Sequence, residues 1–375
     1  MWVEAFEVSG FLGRERPLAL SFHKDLNIIT GRNGAGKTSL LKLMWYIMSG
    51  NILEALREVS FQKATLITSQ YRCTVYRLSN ATCRVDLTVN GEDYEFEDER
   101  DENGDVFSNA EDRAAEILTG VGSSVFFPTF RRIEGGFTMD SLRRSSNSIL
   151  RRSAKQGAIE EALSGLSTKL TNGTHKFIAA ISTVDIVDLL QKTYTDLSEK
   201  SNDLQTSMSQ EIVQRIKDFQ ITSDTDQSTS PDELLASIRA EIESAEAHRG
   251  NIMMPIQEIQ KVVRRLFSHK GISLGRLNFG DAAAAINSDL MSAGEKQMLS
   301  FVAYNGLIRD AAIFIDEPEL SLHVDWQRKL FSTLQRQKSD NQFIIATHSP
   351  FIYSKYPDKE VSMSADRGDE EADFE

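Results

Sequence analysis

The chain has 375 residues, with 42 Lys and Arg against 55 Asp and Glu, a formal charge of −13, and two cysteines. At about 150 residues per domain, this length allows two or three folding units with a sizeable core. Cys73 and Cys83 alone exclude a disulfide framework or a four-cysteine zinc site, and a packing role for reduced thiols is expected.

No apolar run reaches the roughly 18 residues needed to cross a bilayer, and the best one, 299–315, is broken by Arg309 and Asp310. The N-terminus has no basic region followed by an apolar one, so a cytoplasmic protein with no membrane partner is expected. The acidity is local. Residues 92–105 carry a net −8 and residues 366–375 a net −5, which leaves the rest of the chain with 40 acids and 40 bases. Both runs read as solvated, and net charge does not exclude a nucleic-acid partner.

The first 30 residues read as strands. Trp2, Phe6 and Val8 share one parity, Leu18, Leu20 and Phe22 share a second face, and residues 26–29 form an apolar strand. Next come Gly31, Arg32, Asn33, Gly34, Ala35, Gly36, Lys37 and Thr38, then Ser39 and a helical run to Met48. This matches the phosphate-loop pattern G-x-x-x-x-G-K-[ST] in the strand-to-helix context the pattern needs. Glycines let backbone N–H groups curl round phosphate oxygens, and the helix N-terminus adds partial positive charge. Lys37 would reach the β- and γ-phosphates, and the Thr38 hydroxyl would ligate Mg²⁺.

Residues 64–97 predict an antiparallel meander, with turns at Ser79-Asn80 and at the strong hairpin signal Asn90-Gly91. A strand at 125–127 leads into a basic stretch holding Arg131, Arg132, Arg143, Arg144, Arg151, Arg152 and Lys155 against Glu134 and Asp140. This segment would either contact DNA phosphates or pair with the acidic run 92–105. From 186 to 266 the pattern is helical, with apolar residues at 3-4 spacing in two runs separated by a polar turn at 222–230. Ser230, Pro231 and Glu233 start the second run as N-cap, N1 and N3. Either an antiparallel helical hairpin with arms about 50 Å long or two core helices of a globular insert would satisfy it, and Gly250 and Pro255 should bend the second arm.

Ser292, Gly294 and Glu295 precede another apolar helix. They suit an anion site at a helix N-terminus or an ordinary cap. Residues 312–315 form a buried strand ending in Asp316 and Glu317. One carboxylate would hold Mg²⁺ and the other would deprotonate an attacking water, since adjacent strand residues face opposite ways. The apolar run from Phe343 reads as a last strand ending in His348, placed to hydrogen-bond a γ-phosphate or that water.

Together these segments resemble an ATP-binding-cassette ATPase of the non-transporter branch, similar to RecF, the SMC proteins and the OLD (overcoming lysogenization defect) family. The resemblance implies residues 31–38 as Walker A, 292–295 as the signature, Asp316 and Glu317 as Walker B, 319–323 as the D-loop and His348 as the switch histidine. The text from Asp316 to His323 closely resembles the OLD-like group, and the signature Glu295 points the same way. The implied fold is α/β, a P-loop NTPase of ABC-ATPase type with a mixed central sheet, an antiparallel β subdomain and an inserted helical hairpin. Expected boundaries are 1–156 and 270–365 for the two halves of the ATPase head, 157–269 for the insertion and 366–375 for an acidic tail. The cofactors implied are ATP and Mg²⁺, with Glu317 and His348 catalytic and Thr38 and Asp316 on the metal.

In such ATPases two heads sandwich two ATP molecules, so a homodimer or higher homo-oligomer is implied. OLD proteins follow this head with a nuclease domain, whereas only 27 residues follow His348 here. The arrangement resembles the ATPase subunits of two-component anti-phage systems such as Septu and PARIS, which implies a separately encoded nuclease or toxin effector as partner. The alternative is a RecF- or SMC-like repair ATPase clamping DNA through the stretch from Arg131 to Lys155. A transporter subunit fits worse, because 255 positions separate Lys37 from Ser292. The sequence shows no Q-loop glutamine after the 125–127 strand, Glu134 being the nearest candidate, and Phe11 or Arg14 is the candidate adenine contact.

Overall fold

The computed structural model describes residues 1–100, 106–129, 165–179, 183–222, 231–267, 292–320 and 322–363. The basic stretch 131–155 with Glu134, the turn at 223–230 with Ser230, and the acidic tail 366–375 lie outside the described residues. The chain divides into two compact units. One is Met1–Ser182 with Ser292–Met298 and Ile308–Glu375; the other is Thr183–Met291 with Leu299–Leu307.

The first unit is built on two six-stranded sheets. The parallel and antiparallel pairings expected of this α/β chain are segregated, one kind to each sheet. Strands β1 (Val3–Ser9), β2 (Leu18–Ser21), β4 (Lys63–Thr68), β5 (Tyr71–Arg77), β6 (Cys83–Val89) and β7 (Glu92–Phe96) form the antiparallel sheet in the order β2-β1-β4-β5-β6-β7. The β6–β7 hairpin turns on Asn90 and Gly91, whose φ values of 53° and 82° are those a two-residue type I′ turn requires. Cys73 and Cys83 lie buried as free thiols on β5 and β6. A small ribbon, β8 (Glu99–Arg100) with β9 (Val106–Ser108), follows.

The parallel sheet runs β11-β10-β12-β13-β3-β14, with β3 (Leu26–Thr30), β10 (Ser124–Phe127), β11 (His175–Phe177), β12 (Ala312–Asp316), β13 (Gln342–Ala346) and β14 (Glu360–Ser362). Its central strands are buried along their whole length, which is why they read as continuous apolar runs.

Helix α1 (Lys37–Met48) packs against β10, β12 and β13 of the parallel sheet and against β4 of the other. Covered on both sides, it is apolar nearly all round, with Leu40, Leu41, Leu43, Met44, Trp45, Tyr46, Ile47 and Met48 buried. Trp45 lies 5.5 Å from Phe126 and 5.3 Å from Phe177, ring centre to ring centre, and so links the helix to β10 and β11. Shorter helices α2 (Ile52–Glu58) and α3 (Ala110–Leu118) flank this core.

The second unit contains two long helices, α4 (Thr183–Thr222) and α5 (Pro231–Phe267), packed against each other. An ion pair from Arg215 to Glu241 at 3.5 Å spans the arms at the register of an antiparallel hairpin. Helix α5 continues through Pro255. Ile256 and Ile259 of the expected seam are buried, whereas Leu235 and Ile242 are exposed. A pair of helices covers only a narrow stripe of each partner, so 3-4 spacing extends further than the burial.

Helix α6 (Ala293–Leu307) precedes β12, and α7 (Val324–Gln335) connects β12 to β13. Among the described residues, no helix is long and apolar enough to cross a membrane.

Candidate functional site

Parallel strands end on the same edge, so segments far apart in sequence meet there. Four neighbouring strands, β10, β12, β13 and β3, deliver the turns carrying Thr129, Asp316 and Glu317, His348, and residues 31–36 to one place.

The loop between β3 and α1 is closed by Ala35 N–H donating to the Arg32 carbonyl at 3.1 Å, and α1 begins with Leu40 N–H on the Gly36 carbonyl at 2.8 Å. Gly36 has φ +88°, and a Cβ there would lie 2.5 Å from Leu12 Cδ1 and 3.1 Å from Phe11 Cε1. Both its backbone and its surroundings demand glycine. Arg14 Nη2 donates to the Ala35 carbonyl at 2.7 Å and braces the loop from outside. Arg32, Asn33 and Gly34 are exposed, while Ser39 is half-buried on α1.

Lys37 is buried. Its Nζ donates to the carbonyls of Gly31 at 2.9 Å and Arg32 at 3.2 Å, and lies 2.6 Å from Nε2 of His348. Burial lowers the Lys37 pKa, while the carboxylates of Glu317, Asp316 and Glu319 raise it. The His348 pKa is also lowered, first by burial and then by the Lys37 charge, which favours an imidazole whose Nε2 can accept a hydrogen bond from Lys37 Nζ.

Asp316 is 1% exposed and receives two hydroxyls. Thr38 Oγ1 donates to its two oxygens at 2.9 and 3.0 Å, and Thr129 Oγ1 donates to Oδ2. Burial raises the Asp316 carboxyl pKa, and the Thr129 and Thr38 bonds oppose that shift.

Two sequence expectations need correction here. Strand β12 ends at Asp316, and Glu317 has left-handed backbone, φ 47°, with its N–H donating to the Ala346 carbonyl at 2.9 Å. A backbone turn, not strand alternation, therefore separates the directions of the two carboxylates. Similarly, β13 stops at Ala346, so His348 lies in the turn beyond it and not at a strand end.

These residues form one cluster of two hydrogen-bonded sets, Lys37 with His348 and the carbonyls of Gly31 and Arg32, and Thr38 with Asp316 and Thr129, joined through the consecutive residues Lys37 and Thr38. Ser292, Gly294 and Glu295 are not members of it. Ser292 N–H and Oγ both donate to Glu295 Oε2 at 2.8 Å, and Glu295 N–H returns a bond to Ser292 Oγ at 3.4 Å. This is a reciprocal cap on α6, and Gly294 lies in the first turn of that helix.

Motif strings do not single out Thr129, and they offer Arg14 as an adenine contact and not as a brace of the loop. The available signal for Thr129 was a hydroxyl just past an apolar strand, but only the pairing of β10 with β12 in register, Phe127 beside Ile315, brings it to Asp316. The donors around Asp316 are all oxygens, which suits a hard cation such as Mg²⁺. Among the described residues, no group of three or more His, Cys, Asp or Glu could hold a metal unaided.

A family model described as an AAA ATPase domain matches residues 1–353. Among solved structures, the chain is similar to an Smc head domain with an extended coiled coil, bound to the C-terminal domain of ScpA, derived from Pyrococcus furiosus. That match has 15% identity over 94% of this chain and 91% of that one, with a TM-score of 0.35. An Smc head domain with a coiled coil and joint from Pyrococcus yayanosii matches at 14% identity, 96% and 94% coverage and TM-score 0.38. The recombination mediator protein RecF matches at 10% identity, 94% coverage of both chains and TM-score 0.37.

Proposed function

Because the chain belongs to the AAA ATPase domain family, we propose that it is an ATP-driven switch that dimerises head to head around ATP and controls a separately encoded nuclease or toxin effector in anti-phage defence. Its fold is that of a P-loop ATPase of the ATP-binding-cassette type, with a parallel sheet carrying the site, an antiparallel sheet beside it in sequence, and a helical insertion. The observation that carries the ATPase half is the convergence of Lys37, Thr38, Asp316 and His348 on one sheet edge. Support for the effector half is the sequence from Asp316 to His323, which resembles the OLD-like group and the ATPase subunits of systems such as Septu and PARIS.

In this reading the N–H groups of residues 34–39 bind phosphate oxygens, and Lys37 exchanges the carbonyls of Gly31 and Arg32 for the β- and γ-phosphates. Thr38 and Asp316 would hold Mg²⁺, which when bound neutralises charge on the phosphates. Glu317 takes a proton from the attacking water, and His348 orients that water or the γ-phosphate as ADP and phosphate separate. Ser292 and Gly294 of one head complete the site of the other, with Glu295 holding the Ser292 hydroxyl in place. Hydrolysis then opens the pair, which makes nucleotide state a conformational signal.

Native mass measurement of the protein co-expressed with its genomic neighbours, with and without ATP, tests both halves. The Glu317→Gln variant should bind ATP, fail to turn it over and accumulate as a dimer. Unchanged hydrolysis would remove Glu317 from the role of base, and a chain that stays single and captures no neighbour would remove the switch reading. The basic residues between Arg131 and Lys155 favour a second reading, a DNA clamp. A salt-dependent duplex shift, lost when Arg143, Arg144, Arg151 and Arg152 become Ala, would select it.

A further inference from the structure

A second polar network lies directly behind His348. The His348 backbone N–H donates to Oε1 of Glu319 at 2.7 Å, and the Thr347 hydroxyl donates to Oε2 of the same carboxylate at 2.8 Å. Both oxygens of Glu319 are thus taken by consecutive residues of one turn. Gln327, on α7, completes the fastening. Its Nε2 donates to the carbonyls of Leu322 at 2.7 Å and Glu319 at 3.4 Å, and its Oε1 accepts from Ser349 Oγ at 2.6 Å. Ser349 N–H in turn donates to the Thr347 hydroxyl at 2.9 Å.

Thr347, Ser349 and Gln327 are all buried. Glu319 is half-buried, and a partly desolvated carboxylate that loses its partners is costly, so the network favours the turn in this arrangement. Three of these bonds, from the Thr347 hydroxyl, the His348 N–H and the Ser349 hydroxyl, tie the turn 347–349 to the segment 319–327.

We infer that Glu319 is a positioning residue for His348, with Gln327 supporting it. The two lock the turn 347–349 to the segment that follows Asp316 and Glu317, and thereby set the imidazole against Lys37. This rests on the proposed role of His348 in ATP turnover.

The test uses the full-length protein as wild type, Glu319→Ala, His348→Ala and the double variant, with Glu319→Gln as an isosteric substitute if Glu319→Ala does not fold. The readouts are steady-state ATPase kinetics and the imidazole nitrogen resonances of ¹⁵N-histidine-labelled protein. Glu319→Ala should lower kcat about tenfold or more while KM stays within about threefold. It should move the His348 resonances and cause no further loss in the His348→Ala background. Glu319→Gln, which keeps one acceptor oxygen, should recover part of the rate.

Losses that add in the double variant, or His348 resonances unmoved by Glu319→Ala, would overturn the assignment. If His348→Ala itself hydrolyses ATP like wild type, the role of His348 in turnover is what fails. The resonance shift still decides whether Glu319 positions the ring.

Discussion

Glu317 combines a non-glycine side chain with a left-handed backbone, at φ 47°. Such a conformation costs on the order of 1 kcal/mol, and it persists because the residue's N–H is held by the Ala346 carbonyl. The strain lets two consecutive carboxylates leave the strand in unrelated directions, which suits separate tasks for Asp316 and Glu317. Asp316 shows the complementary economy, a single buried carboxylate receiving hydroxyls from Thr38 on α1 and Thr129 beyond β10. Thr129→Val keeps the shape and removes one hydroxyl. If Thr129 helps Asp316 to hold Mg²⁺, the Mg²⁺ concentration for half-maximal ATPase should rise about three- to tenfold, on the scale of one lost hydrogen bond, while ATP binding in chelator stays unchanged. An unaltered Mg²⁺ titration would leave Thr129 a packing residue.

At the scale of elements, the decisive arrangement is a helix covered by strands of two different sheets. A surface helix would show an apolar stripe, but α1 is apolar nearly all round because the two sheets leave it little solvent face. Strand β11 shows the same burial acting on a titratable group. His175 is 0% exposed, with Nδ1 2.8 Å from Ser124 Oγ, and burial pushes its pKa from 6.5 down to about 4 despite the raising influence of the Leu118 and Val121 backbone. The folded pKa is below the unfolded one, so the unfolded chain binds the extra proton first. Stability is therefore complete above about pH 6.5 and declines as pH falls towards 4. The full contribution is roughly 3 kcal/mol. Chemical denaturation at pH 7.5 and pH 5 should show this loss in wild type and a smaller one in His175→Gln. Equal losses in both proteins would mean that other groups carry the acid sensitivity.

For the whole molecule, the proposed switch depends on residues that the bonded cluster excludes. Ser292 and Glu295 cap α6 reciprocally, and Ser292 is exposed, so its hydroxyl region is accessible to a second head. If Ser292 meets the nucleotide of a second head, Ser292→Arg should leave ATP binding to the single chain within about threefold and abolish the ATP-dependent dimer, because the larger side chain would clash in the closed pair. Size-exclusion with light scattering, with and without ATP, reads this directly, and a variant that still dimerises would argue against sandwiched heads. Much of this molecule was legible in the chain. The phosphate loop, the apolar strand that reaches Asp316, the meander with its Asn-Gly turn and the two long helices all follow from local pattern, because glycine requirements, period-2 and period-3.6 burial and capping act over a few residues. Tertiary structure alone decided the rest: that parallel pairing gathers four distant strand ends, that Thr129 reaches Asp316, that Glu319 and Gln327 grip the turn of His348, and that Glu317 leaves its strand through a left-handed residue. These depend on register between strands tens to hundreds of residues apart, which no local pattern of side chains encodes.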